Sequence, residues 1–211
     1  MAADDRNKVT ILKLRRQKRQ GNKTVLVTAY DYPQARIADG AGVDAILVGD
    51  SVGMTTLGYK TTIPVTMDDM IRHSSAVAKG AKKAFLIGDM PYMSYQVSNE
   101  EAVANAGRFI QAGMDCVKVE GAMTDRIKAI ADSGIMVMSH LGLTPHTRAK
   151  LGGYRVQGKT ARQAEIILGQ ALDLQEAGCS FLLLEGMPRE SAKMIATKLS
   201  IPVYGIGAGD H

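Results

Sequence analysis

The 211-residue chain lacks tryptophan, contains only two cysteines, and has an aromatic content of 5%. The two cysteines, Cys116 and Cys179, are too few for a disulfide scaffold, so we expect a reducing, cytoplasmic environment. No apolar run approaches the roughly 18 residues that a transmembrane helix needs. The charged stretch from Met1 to Arg6 contains no apolar segment, so we expect no secretory signal. These absences favour an ordinary globular protein with no membrane partner.

Basic residues exceed acidic ones, with 26 Lys and Arg against 21 Asp and Glu, which gives a formal net charge of +5. The densest basic run, Arg15–Arg19, falls in a predicted N-terminal helix over residues 9–20 and is typical of a solvated helix face. Basic and aromatic residues do not alternate, as they do on surfaces that stack single-stranded nucleic acid. The charge balance therefore does not favour a nucleic-acid partner.

A short β-rich apolar run followed by an alanine-rich helical stretch recurs along the chain. Apolar strands that alternate with helices predict a parallel sheet covered on both faces. Glycines before several strands, as in Ala41-Gly42-Val43-Asp44, are typical of helix C-caps. The seven predicted strands are Val25–Asp31, Ala45–Ser51, Ala84–Met90, Cys116–Gly121, Ile135–Leu141, Phe181–Gly186 and Val203–Gly209.

Polar residues predict where several helices begin. Thr66 is the predicted N-cap of a helix over Thr66–Lys79. The run Ser98-Asn99-Glu100-Glu101 is typical of a capping box at the start of a helix over Ser98–Ala112. Two further helices are predicted over Pro33–Gly40 and Thr160–Ala177. These helices lie between the predicted strands, as a repeating βα unit requires.

A doubly wound open sheet and a (β/α)8 barrel both fit alternating strands and helices. Charged residues at the carboxyl ends of several strands favour the barrel, because catalytic groups occupy that position in barrels. The spacing in Gly205–Gly209 is wrong for a dinucleotide fingerprint. We therefore predict a single (β/α)8 TIM-barrel domain over residues 1–211. Seven strands are one fewer than a barrel of eight needs, and the chain is shorter than the typical length of about 250 residues. We therefore expect that a C-terminal part is missing.

Charged side chains end most of the predicted strands, and a barrel collects these ends at one mouth. Several carboxylates there would repel one another unless a divalent cation with oxygen ligands lay between them. Mg²⁺ typically binds one or two carboxylates, a number that Asp50 and Asp89 fit, with Glu120 behind them or acting through water. The residues at the strand ends are Asp31, Asp50, Asp89, Lys118, Glu120, His140 and Glu185.

Lys118 and Glu120 share one face of their strand, because side chains alternate across a strand. We expect that face to point into the barrel, where charges are costly unless they are paired, hydrated or bound to a ligand. A structural Lys–Glu pair is one interpretation. In the others, Lys118 holds a substrate carboxylate or forms a Schiff base. Glu120 opposes the Schiff base because it favours the charged ammonium.

Two carboxylates holding a metal can present it to the keto and carboxylate oxygens of a 2-oxo acid, and the metal then stabilises an enolate. Enolate formation needs a base, and Glu185, the carboxylate left on another strand, is the candidate. His140 is either a core histidine with a satisfied hydrogen bond or a contact to substrate or metal shell. Cys116 and Cys179 are expected in the core.

Nine segments of the chain carry long, ordered motifs. They are Val27–Asp31, Val48–Ser51 with Gly53-Met54, Leu57–Tyr59, Pro64–Thr66, Asp89–Tyr95, Val117–Gly121, His140–Pro145, Gly152–Gly158 and Gly205–Gly209. Together they closely resemble the ketopantoate hydroxymethyltransferase family. This resemblance implies a barrel of the phosphoenolpyruvate/pyruvate type. It also implies hydroxymethyl transfer from 5,10-methylenetetrahydrofolate to 3-methyl-2-oxobutanoate, which gives 2-dehydropantoate for pantothenate and coenzyme A biosynthesis.

The resemblance further implies Mg²⁺ as the metal and a cytoplasmic homodecamer. By position, Asp50 and Asp89 resemble the metal ligands, Glu120 the third acidic residue of the metal site, and Glu185 the proton acceptor. The matched substrate contacts are Asp50, Ser51, Asp89 and Lys118, to which we add His140.

The chain departs from the family in two places. The family continues past Gly205–Gly209 through a strand and helices that are absent here, and Gly121–Gly134 is slightly short. We expect the glycine-rich segment Gly152–Lys159 to close over the site. Three alternatives remain: another Mg²⁺-dependent carbon–carbon lyase or mutase, a catalytically inactive barrel, and a nucleic-acid-binding module. A flat affinity against salt concentration would exclude the last of these.

Overall fold

A computed structural model describes residues 7–210 of the chain. The strands are β1 (Leu26–Thr28), β2 (Ala45–Val48), β3 (Phe85–Asp89), β4 (Cys116–Glu120), β5 (Met136–Gly142), β6 (Phe181–Glu185) and β7 (Val203–Ile206). The α-helices are α1 (Ile11–Gln20), α2 (Tyr32–Gly40), α3 (Val52–Thr55), α4 (Met67–Gly80), α5 (Asn99–Gln111), α6 (Thr124–Asp132), α7 (Ala161–Glu176) and α8 (Arg189–Lys198). Within these described residues, no helix is both long enough and apolar enough to cross a bilayer.

The seven strands form one sheet in sequence order from β1 to β7. The pairs β1–β2, β2–β3, β5–β6 and β6–β7 are parallel. A doubly wound sheet reverses its strand order at a switch point, whereas a barrel keeps sequence order. All seven predicted strands are present, and the strand order is that of the predicted (β/α)8 barrel.

Side-chain caps define the helix starts that the sequence predicted. Thr66 and Asp69 form a capping box at α4, and Thr160 forms one with Gln163 at α7. Ser98 Oγ accepts the backbone N–H of Glu101 over 3.1 Å at the start of α5. Helices α6 and α8 have no side-chain hydrogen bond at their N-caps. This absence explains why the capping residues did not reveal those two helices.

The glycine-before-strand pattern also has the predicted geometry. Gly42, Gly113 and Gly178 have φ angles of 90°, 97° and 99°, in the left-handed region. A side chain is strained in that conformation, so glycine ends these helices at low cost. The turns then lead directly into β2, β4 and β6.

The described residues form two compact units. The first comprises the chain up to Ser94 together with Ala104–Val117, and the second comprises Tyr95–Val103 together with the residues from Lys118 onward. Each unit has its own apolar core. Fully buried side chains include Ile46, Ile87 and Phe109 in the first unit and Ile127, Met138 and Phe181 in the second. The single-domain interpretation stays a prediction.

In the first unit, ion pairs link α1 and the residues before it to the starts of two strands. Lys8 Nζ lies 2.7 Å from Oδ2 of Asp115, just before β4, and Lys13 Nζ lies 3.3 Å from Oδ1 of Asp44, just before β2. Asp115 also accepts the backbone N–H of Leu86 over 2.8 Å. Part of the basic N-terminal segment therefore anchors the amino ends of strands, away from the carboxyl ends that carry the candidate site.

Candidate active site

Two buried carboxylates follow neighbouring strands of the first unit. Asp89 is the last residue of β3, and Asp50 lies just past the end of β2. Their exposed fractions are 2% and 4%. The backbone N–H of Asp50 donates to Oδ2 of Asp89 over 3.1 Å. Parallel pairing of β2 with β3 thus brings the two predicted metal ligands together.

Ser51 lies beside this carboxylate pair. Its Oγ is 2.9 Å from the hydroxyl oxygen of Tyr30. A Cβ at Gly49 would come within 2.8 Å of Ser51 Oγ, so a larger residue there would require the Ser51 side chain to move. Asp31 has a structural role instead, because its side chain caps α2 by accepting the N–H of Gln34 over 2.8 Å. Asp31 is therefore a helix cap, whereas Ser51 stays with the predicted site.

The second unit contains a buried charged cluster on β4 and β5. Lys118 Nζ lies 3.7 Å from Oε1 of Glu120, and both side chains are at most 4% exposed. His140 Nδ1 lies 3.6 Å from the same Glu120 oxygen. The alternation of side chains along β4 therefore places both charges in the protein interior, as the sequence predicted.

His140 links Glu120 to Glu185. On its other side, His140 Nε2 lies 3.2 Å from Oε2 of Glu185. The His140 side chain is 2% exposed, but the Glu185 side chain is 24% exposed. Glu185 is therefore the member of this group that a substrate can reach from solvent. The structure brings the predicted base together with Lys118, Glu120 and His140.

Two residues without a predicted role complete the cluster. The hydroxyl of Tyr95 accepts the backbone N–H of Glu120 over 3.0 Å and lies 3.0 Å from Nδ1 of His146. The backbone N–H of His146 donates to Oε2 of Glu120 over 2.9 Å. Tyr95 ends one motif of the family resemblance and His146 directly follows another, but the two residues lie 51 positions apart in the chain. No local spacing could have revealed this contact.

The cluster changes the acidity of its members. Burial raises the pKa of Glu120, but Lys118, His140 and His146 outweigh that effect and lower it to about 2. Burial lowers the pKa of His140, yet the carboxylates of Glu120 and Glu185 outweigh it, so the pKa is raised above its ordinary value. Glu120 is therefore an ionised carboxylate, although it is almost fully buried.

A close backbone contact holds Glu185 beside the end of β5. Gly142 has φ of 92°, and a Cβ there would collide with the carbonyl oxygen of Glu185. The N–H of Leu143 donates to this same oxygen over 2.8 Å. Farther along the chain, Gln157 N–H donates to the carbonyl oxygen of Gly186 over 2.9 Å. The far end of the predicted lid segment thus lies against the residue that follows Glu185.

The donor set suits a hard divalent cation. In the first unit, Asp50 and Asp89 supply buried carboxylate oxygens, the ligands that Mg²⁺ prefers, and in the second unit Glu120 supplies another. Oε1 of Glu120 is buried and has no hydrogen-bond partner. A buried anionic oxygen without such a partner is costly, and a cation is one way to satisfy it. The aspartate pair of the first unit therefore has the donor chemistry of the metal that the family resemblance implies.

Similar folds occur in solved structures that share little sequence. The crystal structure of a phosphonopyruvate hydrolase complex with oxalate and Mg²⁺ matches with a TM-score of 0.71 at 12% identity, covering 93% of this chain and 71% of the other. A 2,3-dimethylmalate lyase, described as a PEP mutase/isocitrate lyase superfamily member, matches with a TM-score of 0.68 at 19% identity, covering 95% and 74%. These likenesses confirm the predicted barrel fold.

Sequence relatives are much closer. The 3-methyl-2-oxobutanoate hydroxymethyltransferase of Thermoanaerobacter sp. (strain X514) is 50% identical over 207 residues, which cover 97% of this chain and 76% of the relative. The enzyme of that name from Geobacillus kaustophilus (strain HTA426) is 52% identical over 195 residues, covering 91% and 70%. The family model for ketopantoate hydroxymethyltransferase matches residues 8–211. The chain belongs to the ketopantoate hydroxymethyltransferase family.

Proposed function

We propose that this chain transfers a hydroxymethyl group from 5,10-methylenetetrahydrofolate to 3-methyl-2-oxobutanoate to form 2-dehydropantoate. The names of relatives at about 50% identity support the acceptor and the transferred group. The observation that carries the proposal is the contact of His140 with Glu185, which supports a positioned base at the end of β6. The folate donor rests on the family resemblance.

Glu185 is the proposed general base. Its carboxylate removes the proton from C3 of 3-methyl-2-oxobutanoate, and the electrons of the C–H bond form the enolate. C3 of the enolate would then attack the methylene carbon of the folate as one C–N bond to that carbon breaks. Replacement of the second C–N bond by water would give the hydroxymethyl group and release tetrahydrofolate. The partial exposure of Glu185 supports this role, because the carboxylate must reach a substrate atom while His140 orients it from the buried side.

Asp50 and Asp89 are the proposed Mg²⁺ ligands, and Glu120 is the proposed third acidic residue of the metal site. The ion supplies Lewis-acid polarisation of a 2-oxo acid. The hydrogen bond from Asp50 N–H to Asp89 supports this assignment, because it fixes the orientation of a ligating carboxylate. Oε1 of Glu120, which is buried without a hydrogen bond, supports it independently.

Lys118, Ser51 and His140 are the proposed substrate contacts, together with the two aspartates. Lys118 carries a positive charge that suits the carboxylate of the 2-oxo acid. Its contact with Glu120 at 3.7 Å favours the ammonium form and supports binding rather than Schiff-base formation. We also propose that Gly152–Lys159 closes over the bound substrate, which excludes water from the enolate.

We further propose that the protein works in the cytoplasm of its cell as a homodecamer without a nucleic-acid partner. These assignments rest on the family resemblance and on the unremarkable charge pattern. Size-exclusion chromatography with light scattering measures the assembly directly. A mass near ten protomers is expected, and a monomer would contradict the assignment.

Product analysis tests the proposed function. The protein is incubated with 3-methyl-2-oxobutanoate, with and without methylenetetrahydrofolate, in the presence of Mg²⁺ or a chelator. We expect 2-dehydropantoate only when folate and Mg²⁺ are both present. Cleavage or rearrangement of a 2-oxo acid without folate would instead favour a lyase or mutase, the activities for which proteins with similar folds are named.

A further inference from the structure

The hydroxyl of Tyr95 is buried at the centre of the Glu120 cluster. The Tyr95 side chain is 0% exposed, and its oxygen contacts both Glu120 N–H and His146 Nδ1 at 3.0 Å. A phenol oxygen can accept through two lone pairs but can donate only one proton. The Glu120 amide must be the donor in its contact, whereas the direction of the contact with His146 depends on the imidazole tautomer: Tyr95 donates its proton to Nδ1 when the ring proton lies on Nε2.

Donation from Tyr95 to Nδ1 has a consequence for the imidazole. In the neutral ring one nitrogen carries the proton and the other accepts. An Nδ1 atom that accepts from Tyr95 requires the ring proton of His146 to lie on Nε2. Nδ1 of His146 is then occupied and cannot serve as a metal ligand while this contact persists.

The backbone of His146 also forms a hydrogen bond with Glu120. Its N–H donates to Oε2 of Glu120 over 2.9 Å. The path therefore runs from Glu120 N–H to Tyr95 Oη, on to His146 Nδ1, and from His146 N–H back to the Glu120 carboxylate. A closed ring of hydrogen bonds ties the backbone of Glu120 to one oxygen of its own side chain. The other oxygen, Oε1, faces Lys118 and His140.

The backbone around Tyr95 is itself firmly held. Arg126 on α6 donates through Nε to the carbonyl oxygen of Tyr95 over 2.9 Å and through a terminal nitrogen to Gln96 over 3.3 Å. Met93, two positions earlier, has φ of 68°. Among residues 7–210 it is the only non-glycine residue with a positive φ. Strained backbone of this kind persists where the surrounding structure requires it.

We propose that Tyr95 is a positioning residue for Glu120. Its hydroxyl fixes the orientation of the Glu120 carboxylate, the third acidic residue assigned to the metal site under the proposed function. This inference rests on the proposed function for the identity of the ion, but the hydrogen-bond ring itself is independent of it. Outer-shell partners of this kind typically contribute about 10–100-fold to metal affinity or activity.

Two measurements on the full chain test the proposal. Mn²⁺ binding, followed by electron paramagnetic resonance, is compared in wild type and Tyr95→Phe, with Tyr204→Phe as a matched loss of a hydroxyl from another buried tyrosine. We expect the dissociation constant to rise about 10–100-fold in Tyr95→Phe and to stay within twofold in Tyr204→Phe. Equal affinities in wild type and Tyr95→Phe would overturn the proposal.

His146 variants separate positioning from general damage. His146→Asn keeps an acceptor oxygen near the place of Nδ1, whereas His146→Ala removes the acceptor. We expect Mn²⁺ affinity to fall more in the alanine variant. We also expect the Tyr95→Phe/His146→Ala double variant to lose less than the product of the two single losses, because both belong to one ring. Equal losses in the two His146 variants would contradict the role of Nδ1.

The second measurement is the ring tautomer of His146 in the metal-free protein, read from nitrogen-15 NMR at pH 8.5. The Nε2–H form is expected in wild type, and its proportion should fall in Tyr95→Phe. An Nδ1–H form in wild type would overturn the proposed donor direction. Wild type that binds no Mn²⁺ would count against the metal assignment in the proposed function, whereas the tautomer comparison still decides the role of Tyr95.

Discussion

Nε2 of His140 lies 3.2 Å from Oε2 of Glu185. The same imidazole lies 3.6 Å from Glu120 through its other nitrogen, so one ring is in contact with two carboxylates of the second unit. A histidine with a satisfied hydrogen bond in an apolar core was the competing interpretation of His140. The ring lies instead among charged residues, and its two nitrogens are buried without a hydrogen bond of good geometry. This arrangement favours a role in the site.

Replacement of His140 should impair the base without removing it. We expect His140→Gln to lower kcat by about 100-fold, because a small misplacement of a catalytic group can cost that much. Mn²⁺ affinity should change much less than kcat, since the proposed metal ligands remain. Steady-state kinetics and metal titration measure the two effects separately. A kcat within twofold of wild type would show that His140 does not orient Glu185.

Removal of either buried aspartate should weaken metal binding. We expect Asp50→Asn and Asp89→Asn each to raise the Mn²⁺ dissociation constant by more than about 10-fold, the scale set by loss of metal-site partners. Asp132→Asn removes the same charge from an exposed position on α6, where the side chain is 64% exposed and pairs with Lys128. That control should bind Mn²⁺ like wild type. Unchanged affinity in both site variants would contradict the assignment.

The capping box at α4 should contribute measurably to stability. Thr66→Ala removes the acceptor for the N–H of Asp69 and should lower the free energy of unfolding by about 1 kcal/mol. Thr66→Ser keeps the oxygen and should leave the free energy of unfolding nearly unchanged, because serine caps helices at least as well as threonine. Urea denaturation compares the three proteins. An alanine variant as stable as wild type would show that this cap contributes nothing.

The same capping box gives the Thr66 effect a pH dependence. Hydrogen bonds from Thr66 hold the pKa of Asp69 below its ordinary value. A carboxyl group with a lowered folded pKa stabilises the protein above its unfolded pKa, and this stabilisation is lost as pH falls through the folded value. The difference between wild type and Thr66→Ala should therefore be complete at pH 7 and decrease below about pH 4. A difference that grew towards low pH would contradict this linkage.

Both cysteines should resist thiol reagents in the folded protein. Cys116 and Cys179 are buried, and burial raises the pKa of Cys179 to about 11. The thiolate is the reactive form, so its population at pH 8 is very small. We expect no rapid reaction with a thiol-specific disulfide reagent until denaturant is added, and then reaction of two thiols per chain. Rapid reaction of the native protein would contradict the burial of these residues.

The sequence predicted much of the fold because its signals are local. Apolar runs revealed every strand of the described sheet, and Thr66, Ser98 and Thr160 marked helix starts through side-chain hydrogen bonds. Helices α6 and α8 were not predicted because neither has a side-chain hydrogen bond at its N-cap. Capping residues therefore predicted helix starts only where the structure forms side-chain caps.

The candidate site was predictable where strand ends alone determine position. Lys118 and Glu120 came from the alternation of side chains along β4, and Glu185 from its place at the end of β6. Tyr95 and His146 could not be found in this way, since their contact depends on how two distant loops fold together. Asp31 ends its predicted strand like the others but caps α2, because β1 stops at Thr28 and α2 begins at Tyr32.

The central claim is that Glu185 removes the C3 proton of the 2-oxo acid. The most direct test follows exchange of that proton with solvent in D₂O by NMR, using 3-methyl-2-oxobutanoate and Mg²⁺ without folate. We expect exchange with wild type and a rate lower by about 100-fold or more with Glu185→Gln, the usual scale for loss of a general base. The surface variant Glu190→Gln on α8 should exchange at the wild-type rate. Equal exchange by Glu185→Gln and wild type would contradict the account.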